Sequence, residues 1–329
     1  MIKRTDKELL ARIAYLEEAV GNYGAQMRAL NDAISQIQIN ANSPTKDSQF
    51  TQLYSALDNY GTQLRGLNDA VSSIQINTNS SSAASEYAVD HVIKSRRLFQ
   101  PKGRDNLSTA LPQVAHTLTF DQQLEQISAM GYGAYQEWFK LLEPNLVSYT
   151  DNPEAGISVE ENAGARLFRD FIAPYAQGSV LDIGCGIAAL PAYLSDFDPA
   201  LIAGSDPLSP ELKRDFSFYH GLAEILPWPD NSFDNVIIGT SMDHFLDPYK
   251  ALDEAKRVLK SNGYLLLWMG FIPGGKQYDP ISFDAKPVDE FHLFHFDKVW
   301  FDPIIEEKFR VSECIPINEV SSFYACMPK

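Results

Sequence analysis

Residues 179–191 read SVLDIGCGIAALP, a short apolar run that ends on Asp182 and breaks into a turn with glycine at 184 and 186. A run of about five mostly apolar residues bounded by glycine has the length and bounds of a buried strand, and glycine in the turn lets a ligand approach the backbone closely. The spacing predicts a helix beginning near Ala188. The same kind of run recurs downstream as LIAGSD (201–206), FSFYHG (216–221), FDNVIIGTS (233–241), GYLLLWMG (263–270), KFRVSECIPI (308–317) and SSFYACMP (321–328), with helical stretches between most of them. Strands alternating with helices predict an α/β fold with a mostly parallel sheet, and the last two runs predict a closing antiparallel hairpin.

Gly-x-Gly alone is a weak motif. The order of residues after each strand sharpens it: Asp206 closes the second run, and a carboxylate there suits a ribose diol, because one carboxylate can accept from both hydroxyls. The ordered set VLDIGCG, SD, AEILPWPDNSFD (223–234) and LDEAKRVLKSNGYLLL (252–267) resembles the class I S-adenosylmethionine-dependent methyltransferases, type 11 group, over residues 160–329. The resemblance implies a Rossmann-like seven-stranded sheet. It also implies that Gly184 and Gly186, with Cys185 between them, pass beneath the amino acid portion of S-adenosyl-L-methionine, and that Asp182 meets its ammonium directly or through water. Asp206 would hold the ribose, Pro207 or Leu208 would pack on the adenine, Ala223 and Glu224 would line the adenine edge, and Thr240 and Ser241 would lie near the methyl group. Two positions depart from the pattern: Leu222 stands where many relatives have an adenine-binding Asp, and Ala188 replaces a third glycine.

Methyl transfer is an in-line displacement at an activated carbon, so a base is needed only for a hydroxyl or ammonium acceptor. Candidates come from TSMDHFLDP (240–248) and PVDEFHLFHFD (287–297): His295 first, then His292 and His244, with Asp243 beside them. His292 and His295 either share a helical face or flank a loop. Asp243, His244, His292, His295 and Asp297 contain no compact ligand motif, so no metal is expected. The segment PVDEFHLFHFD is similar to one in methyltransferases encoded with bacterial surface-polysaccharide genes. That resemblance implies an O-methyltransferase acting on a sugar hydroxyl; a degenerate cofactor-binding scaffold and a small-molecule methyltransferase of secondary metabolism are the alternatives.

Outward from the catalytic segment, NYGAQMRALNDAISQIQINANS from Asn22 repeats as NYGTQLRGLNDAVSSIQINTNS from Asn59. Each copy carries apolar residues in alternating steps of three and four, a heptad seam that predicts a duplicated coiled coil and a homo-oligomer, with a hairpin of the two copies or a plain spacer as the alternatives. Pro44 separates the copies, and a Ser/Asn stretch from Asn77 to Ser85 has linker composition. Three parts are expected: a coiled coil over 1–80, a linker and helical cap over 81–150, and the methyltransferase domain over 151–329. In the middle part, Lys94, Arg96, Arg97, Lys102 and Arg104 form a solvated cluster or a phosphate-holding one, and Tyr132, Tyr135, Trp138 and Phe139 form a helical aromatic stripe.

Lys and Arg number 27 against 43 Asp and Glu, a net charge of −16, which argues against a nucleic-acid partner. S-adenosylmethionine carries a cation and no phosphate, so the acidity is compatible with it. The three cysteines make no metal-type pair and suit a reducing compartment, no apolar run is long enough for a membrane span, and a cytoplasmic location is expected.

Overall fold

The apolar runs that bracket the glycine turn become strands in the computed structural model, which describes residue 93 and residues 106–152, 158–160, 162–208 and 211–329. The duplicated heptad segment of residues 1–80 and the cations from Lys94 to Arg104 lie outside the described residues. Among the described residues seven strands form: β1 (Val180–Ile183), β2 (Ile202–Asp206), β3 (Ser217–His220), β4 (Phe233–Gly239), β5 (Leu259–Gly270), β6 (Phe309–Asn318) and β7 (Ser321–Pro328). They make one sheet in the order β3-β2-β1-β4-β5-β7-β6. The first five pair in parallel, while β7 runs antiparallel to both β5 and β6. Strand order reverses between β2-β1 and β4, the place where open α/β sheets form a crevice at the carboxyl ends of their strands.

Side-chain alternation along the strands builds a core on each face. Leu181, Ile183, Val236, Ile238, Leu265 and Leu267 enter one core, and Val180, Ile237 and Leu266 enter the other. On the first face lie α1 (Phe120–Ala129), α2 (Tyr135–Asp151), α4 (Pro248–Val258) and α5 (Lys298–Lys308), which supply Ile127, Trp138, Leu252, Val258, Phe301 and Ile305. The opposite face is covered by α3 (Ala163–Ile172) through Phe168, Phe171 and Ile172. Burying a residue of this size fully is worth about 1.5–3 kcal/mol, so these rows hold the helices in place.

Two local readings change in three dimensions. The helix expected near Ala188 is absent: residues 187–191 are irregular, followed by a single 3-10 turn, Ala192–Leu194. Pro191 is the cause, because it pushes Leu190 out of the helical region and lacks the N–H that an α-helix would use. The helical stretch around residues 119–144 divides into α1 and α2 at Gly131, which takes φ +78°. Thr119 and Gln122 close a capping box at the start of α1. No helix among the described residues is long and apolar enough to cross a membrane.

Candidate functional site

Beyond the carboxyl ends of β1, β2 and β4 lies a cleft with about 1120 Å³ of space not filled by atoms, its open mouth included. Its floor is the turn after β1, where Gly184 and Gly186 take φ +75° and +66°. That left-handed conformation costs other residues about 1–2 kcal/mol. At Gly184 a Cβ would lie 2.2 Å from the Ser241 Oγ, whereas at Gly186 it would meet nothing within 4 Å. The turn therefore needs glycine at 184 for packing, and at 186 it leaves bare backbone facing open space.

Asp206, at the end of β2, borders the same cleft. Its Oδ2 accepts from the Gly186 N–H and its Oδ1 from the Leu208 N–H, both at 2.7 Å, so the carboxylate ties the glycine turn to the loop after β2. Burial pushes its pKa up to about 6, against those backbone hydrogen bonds. Asp182 is fully buried and does not border the cleft. Tyr193 stands at the cleft wall and donates to the Asp182 Oδ2 at 2.9 Å, while the Asp182 Oδ1 has no hydrogen-bond partner. Burial raises the Asp182 pKa to about 7.

Pro207, Cys185, Thr240 and Ser241 also line the cleft. Thr240 takes φ +54°, and the Ser241 hydroxyl donates to the Ile183 carbonyl at 2.9 Å, which locks the end of β4 against the end of β1. Ala223 and Glu224 do not reach it. Glu224 is buried with its Oε1 accepting from the Asp247 N–H at 2.9 Å, at the start of α4, and burial raises its pKa to about 7.

The far end of the cleft is walled by Asp243 and His244, on the 3-10 turn after β4, and by Trp138, Phe245 and Phe291. Trp138 of α2 donates its Nε1–H to the His244 carbonyl at 2.9 Å, so the helix that covers the cleft also clamps this turn. Behind it stand His292 and His295 in an irregular loop, their ring centroids 4.9 Å apart, and the His292 ring lies 4.3 Å from that of His244. Asp289 joins the group: His292 Nδ1 lies 2.9 Å from both its oxygens, and His295 Nε2 lies 3.1 Å from Oδ2. His292 Nε2 stands 3.7 Å from the Asp243 Oδ2. Burial holds His244 near pKa 4, lowers His292 and raises Asp243.

Asp297, grouped with these histidines on sequence, is instead the N-cap of α5, accepting from Val299 at 2.8 Å and from Gly274 at 2.6 Å. Asp289 takes its place. An Asp three residues before a histidine was there to be noticed, but many such residues only cap turns. Tyr149 of α2 is another cleft residue that motif reading passes over; burial and the charges of Asp206 and Asp243 push its pKa up to about 12.

Residues 181–267 match the family described as methyltransferase domain. That stretch spans β1 to β5 and is similar to the methyltransferase domain. The chain is 41% identical over 75 residues to the ubiquinone/menaquinone biosynthesis C-methyltransferase UbiE of Hahella chejuensis, covering 22% of this chain and 30% of that protein. To the uncharacterized methyltransferase YcgJ of Bacillus subtilis it is 35% identical over 109 residues, 30% of this chain and 43% of that one. The chain thus spans less than half the length of these curated relatives. The structure of 1,6-didemethyltoxoflavin-N1-methyltransferase from Burkholderia thailandensis, solved with S-adenosylhomocysteine, superposes with a TM-score of 0.46 at 14% identity, covering 70% of this chain and 99% of that one.

S-adenosylmethionine is the cofactor of this domain class. The cleft suits it on two counts: bare backbone at Gly186 facing open space and a carboxylate bordering the cleft at Asp206.

Proposed function

We propose that the protein transfers a methyl group from S-adenosylmethionine to a hydroxyl of a sugar, in bacterial surface-glycan assembly. The observation that carries the reading is one cleft bordered by Asp206 and the glycine turn at one end and by Asp243 and His244 at the other. When bound, S-adenosylmethionine supplies an electrophilic methyl carbon on a sulfonium.

The chain's own residues do the rest. Asp206 accepts from the ribose, and the backbone at Gly184 and Gly186 underlies the amino acid portion. Trp138, Phe245 and Phe291 give the acceptor end apolar walls that exclude water and match the C–H face of a sugar ring. Asp243 faces the cleft and its basicity is raised by burial, so it receives the hydroxyl proton, with His292 behind it and Asp289 orienting His292. His295 acts through Asp289 and does not border this cleft. The N-terminal repeat assembles the protein as a homo-oligomer, and the free thiols of Cys185, Cys314 and Cys326 fit a cytoplasmic location.

Calorimetry with S-adenosylhomocysteine, followed by turnover of a panel of sugar nucleotides and oligosaccharides by wild type, Asp243→Asn and His295→Ala, tests the reading. Heat of binding and methylation of at least one sugar, lost in Asp243→Asn, are the expected results. No heat with wild type would remove the enzyme reading.

A further inference from the structure

The His–Asp group at the acceptor end has a geometry that acid–base chemistry alone leaves unexplained. One carboxylate oxygen of Asp243 and one ring nitrogen each of His244 and His292 lie within 4.8 Å of one another. Asp289 holds His292 Nδ1 at 2.9 Å with both oxygens, which places the imidazole proton on Nδ1 and the lone pair on Nε2. That lone pair stands 3.7 Å from the Asp243 Oδ2, too far for a hydrogen bond and close enough for two electron-rich atoms to repel. A cation between them removes the repulsion. Ligands at about 2.0–2.2 Å from a metal sit roughly 3.0–3.4 Å from one another, so the Asp243–His292 gap closes with a shift of tenths of an ångström, while the His244 nitrogen, within 4.8 Å of both, closes in by up to about 1.4–1.8 Å.

Two independent features point the same way. The Nδ1 of His244 is buried without a hydrogen-bond partner, on a ring in contact with that of His292. Asp289 also has the position of an outer carboxylate that fixes a ligating histidine, a pattern that recurs around protein-bound metals. The other grouping of Asp289, His292 and His295 is already closed by its own contacts at 2.9 and 3.1 Å.

We propose that Asp243, His244 and His292 bind one divalent first-row transition ion at the acceptor end of the cleft, with Asp289 as the positioning carboxylate. Two imidazoles and one carboxylate select Mn²⁺, Fe²⁺, Co²⁺ or Zn²⁺ over Mg²⁺, which prefers oxygen and retained water. The inference rests on the methyl-transfer reading for its consequence, the ionisation of an acceptor hydroxyl bound to the ion, whose proton passes to the Asp243 oxygen that does not ligate the ion. The site itself stands on geometry.

The test uses the tag-free full-length chain, stripped with a chelator and titrated with Co²⁺, read by calorimetry and by the visible absorption of histidine-bound cobalt. One equivalent binds per chain, with a histidine-ligand band. Asp243→Asn and His292→Gln abolish the band, and Asp289→Asn weakens binding about 10- to 100-fold. S-adenosylhomocysteine binding and the far-ultraviolet dichroism of each variant report that the fold is intact. Asp289 is 39% exposed, so its variant remains informative if a buried one misfolds. Absence of a band in wild type, or equal Co²⁺ binding by wild type and Asp289→Asn, overturns the cation site. Co²⁺ binding without any S-adenosylhomocysteine binding keeps the cation site and overturns the methyl-transfer reading instead.

Discussion

At the scale of single residues, Asp206 carries the most. Its two oxygens hold the Gly186 and Leu208 amides at 2.7 Å, and each retains a lone pair for a ribose hydroxyl. Charge-assisted hydrogen bonds contribute about 1.5–3 kcal/mol each, so Asp206→Ala is expected to weaken S-adenosylhomocysteine binding by about 10- to 100-fold or more in calorimetry. The pH dependence has a definite sign. Burial raises Asp206 from 3.8 to about 6, and the diol needs the ionised form, so binding below pH 6 must first release a proton. Affinity falls by up to about tenfold per pH unit below 6 and is flat above, and Asp206→Asn removes the slope. The same shift works against the free protein: between 3.8 and about 6 the folded state holds the extra proton, so this group's contribution to stability declines as pH rises through that window. Gly184→Ala tests the other half of the floor. Its Cβ would sit 2.2 Å from the Ser241 Oγ and 2.3 Å from the Ser241 Cβ, in a backbone at φ +75°. The strain exceeds the roughly 1–2 kcal/mol of a left-handed residue, so a lower melting temperature and loss of S-adenosylhomocysteine binding are expected together. A variant with native melting and native affinity would show that the turn relaxes freely.

At the scale of elements, α2 joins cover and chemistry. Trp138 packs in the core 4% exposed, and its Nε1–H on the His244 carbonyl fixes the turn that presents Asp243. Trp138→Phe keeps most of the apolar contact and removes one hydrogen bond, a loss of about 1 kcal/mol in stability. Turnover should fall more than S-adenosylhomocysteine affinity, since the turn at Met242–His244 lies at the acceptor end; equal losses in both would place Trp138 in general packing. This helix also shows what sequence conveys and what it hides. All seven strands were legible, because runs such as VIIG and LLLWM are short, apolar and bounded by glycine or polar residues. The helicity of residues 119–144 was legible too, from composition, whereas the continuation of α2 to Asp151 was not. Its place over the cleft was not, since an aromatic stripe reads alike as core or as ligand wall, and Trp138 proves to be both. The missing helix at Ala188 was obscured because small apolar residues favour helices, and a single proline three positions on overrode them. Likewise Asp289 and Asp297 flank the same histidine pair in sequence, and only the course of the loop decides that one holds His292 while the other caps α5.

At the scale of the whole molecule, the charge and the duplication lie in different parts of the chain. Residues 151–329 hold 28 of the 43 acidic residues, whereas residues 1–80 are close to neutral and carry the heptad seams. A narrow apolar seam cannot be buried on a lone helix, so the proposed coiled coil would need a partner, and a second copy of the same seam is the economical one. The offset of the two copies, from Asn22 to Asn59, is not a multiple of seven, so one unbroken heptad register does not span both copies of the sequence. The glycine turn, Asp206, Asp243 and His292 all belong to residues 180–292, and the cleft lining among the described residues runs from Trp138 to Leu293. Removing residues 1–80 is therefore expected to convert an oligomer to a monomer in light scattering, with S-adenosylhomocysteine affinity unchanged within about twofold, because sites that share no partners behave additively. An unchanged mass on deletion would refute assembly through the repeat. A mass that falls together with a loss of affinity would mean that the cleft is completed by the oligomer, and that the heptad segment contributes to catalysis as well as to assembly.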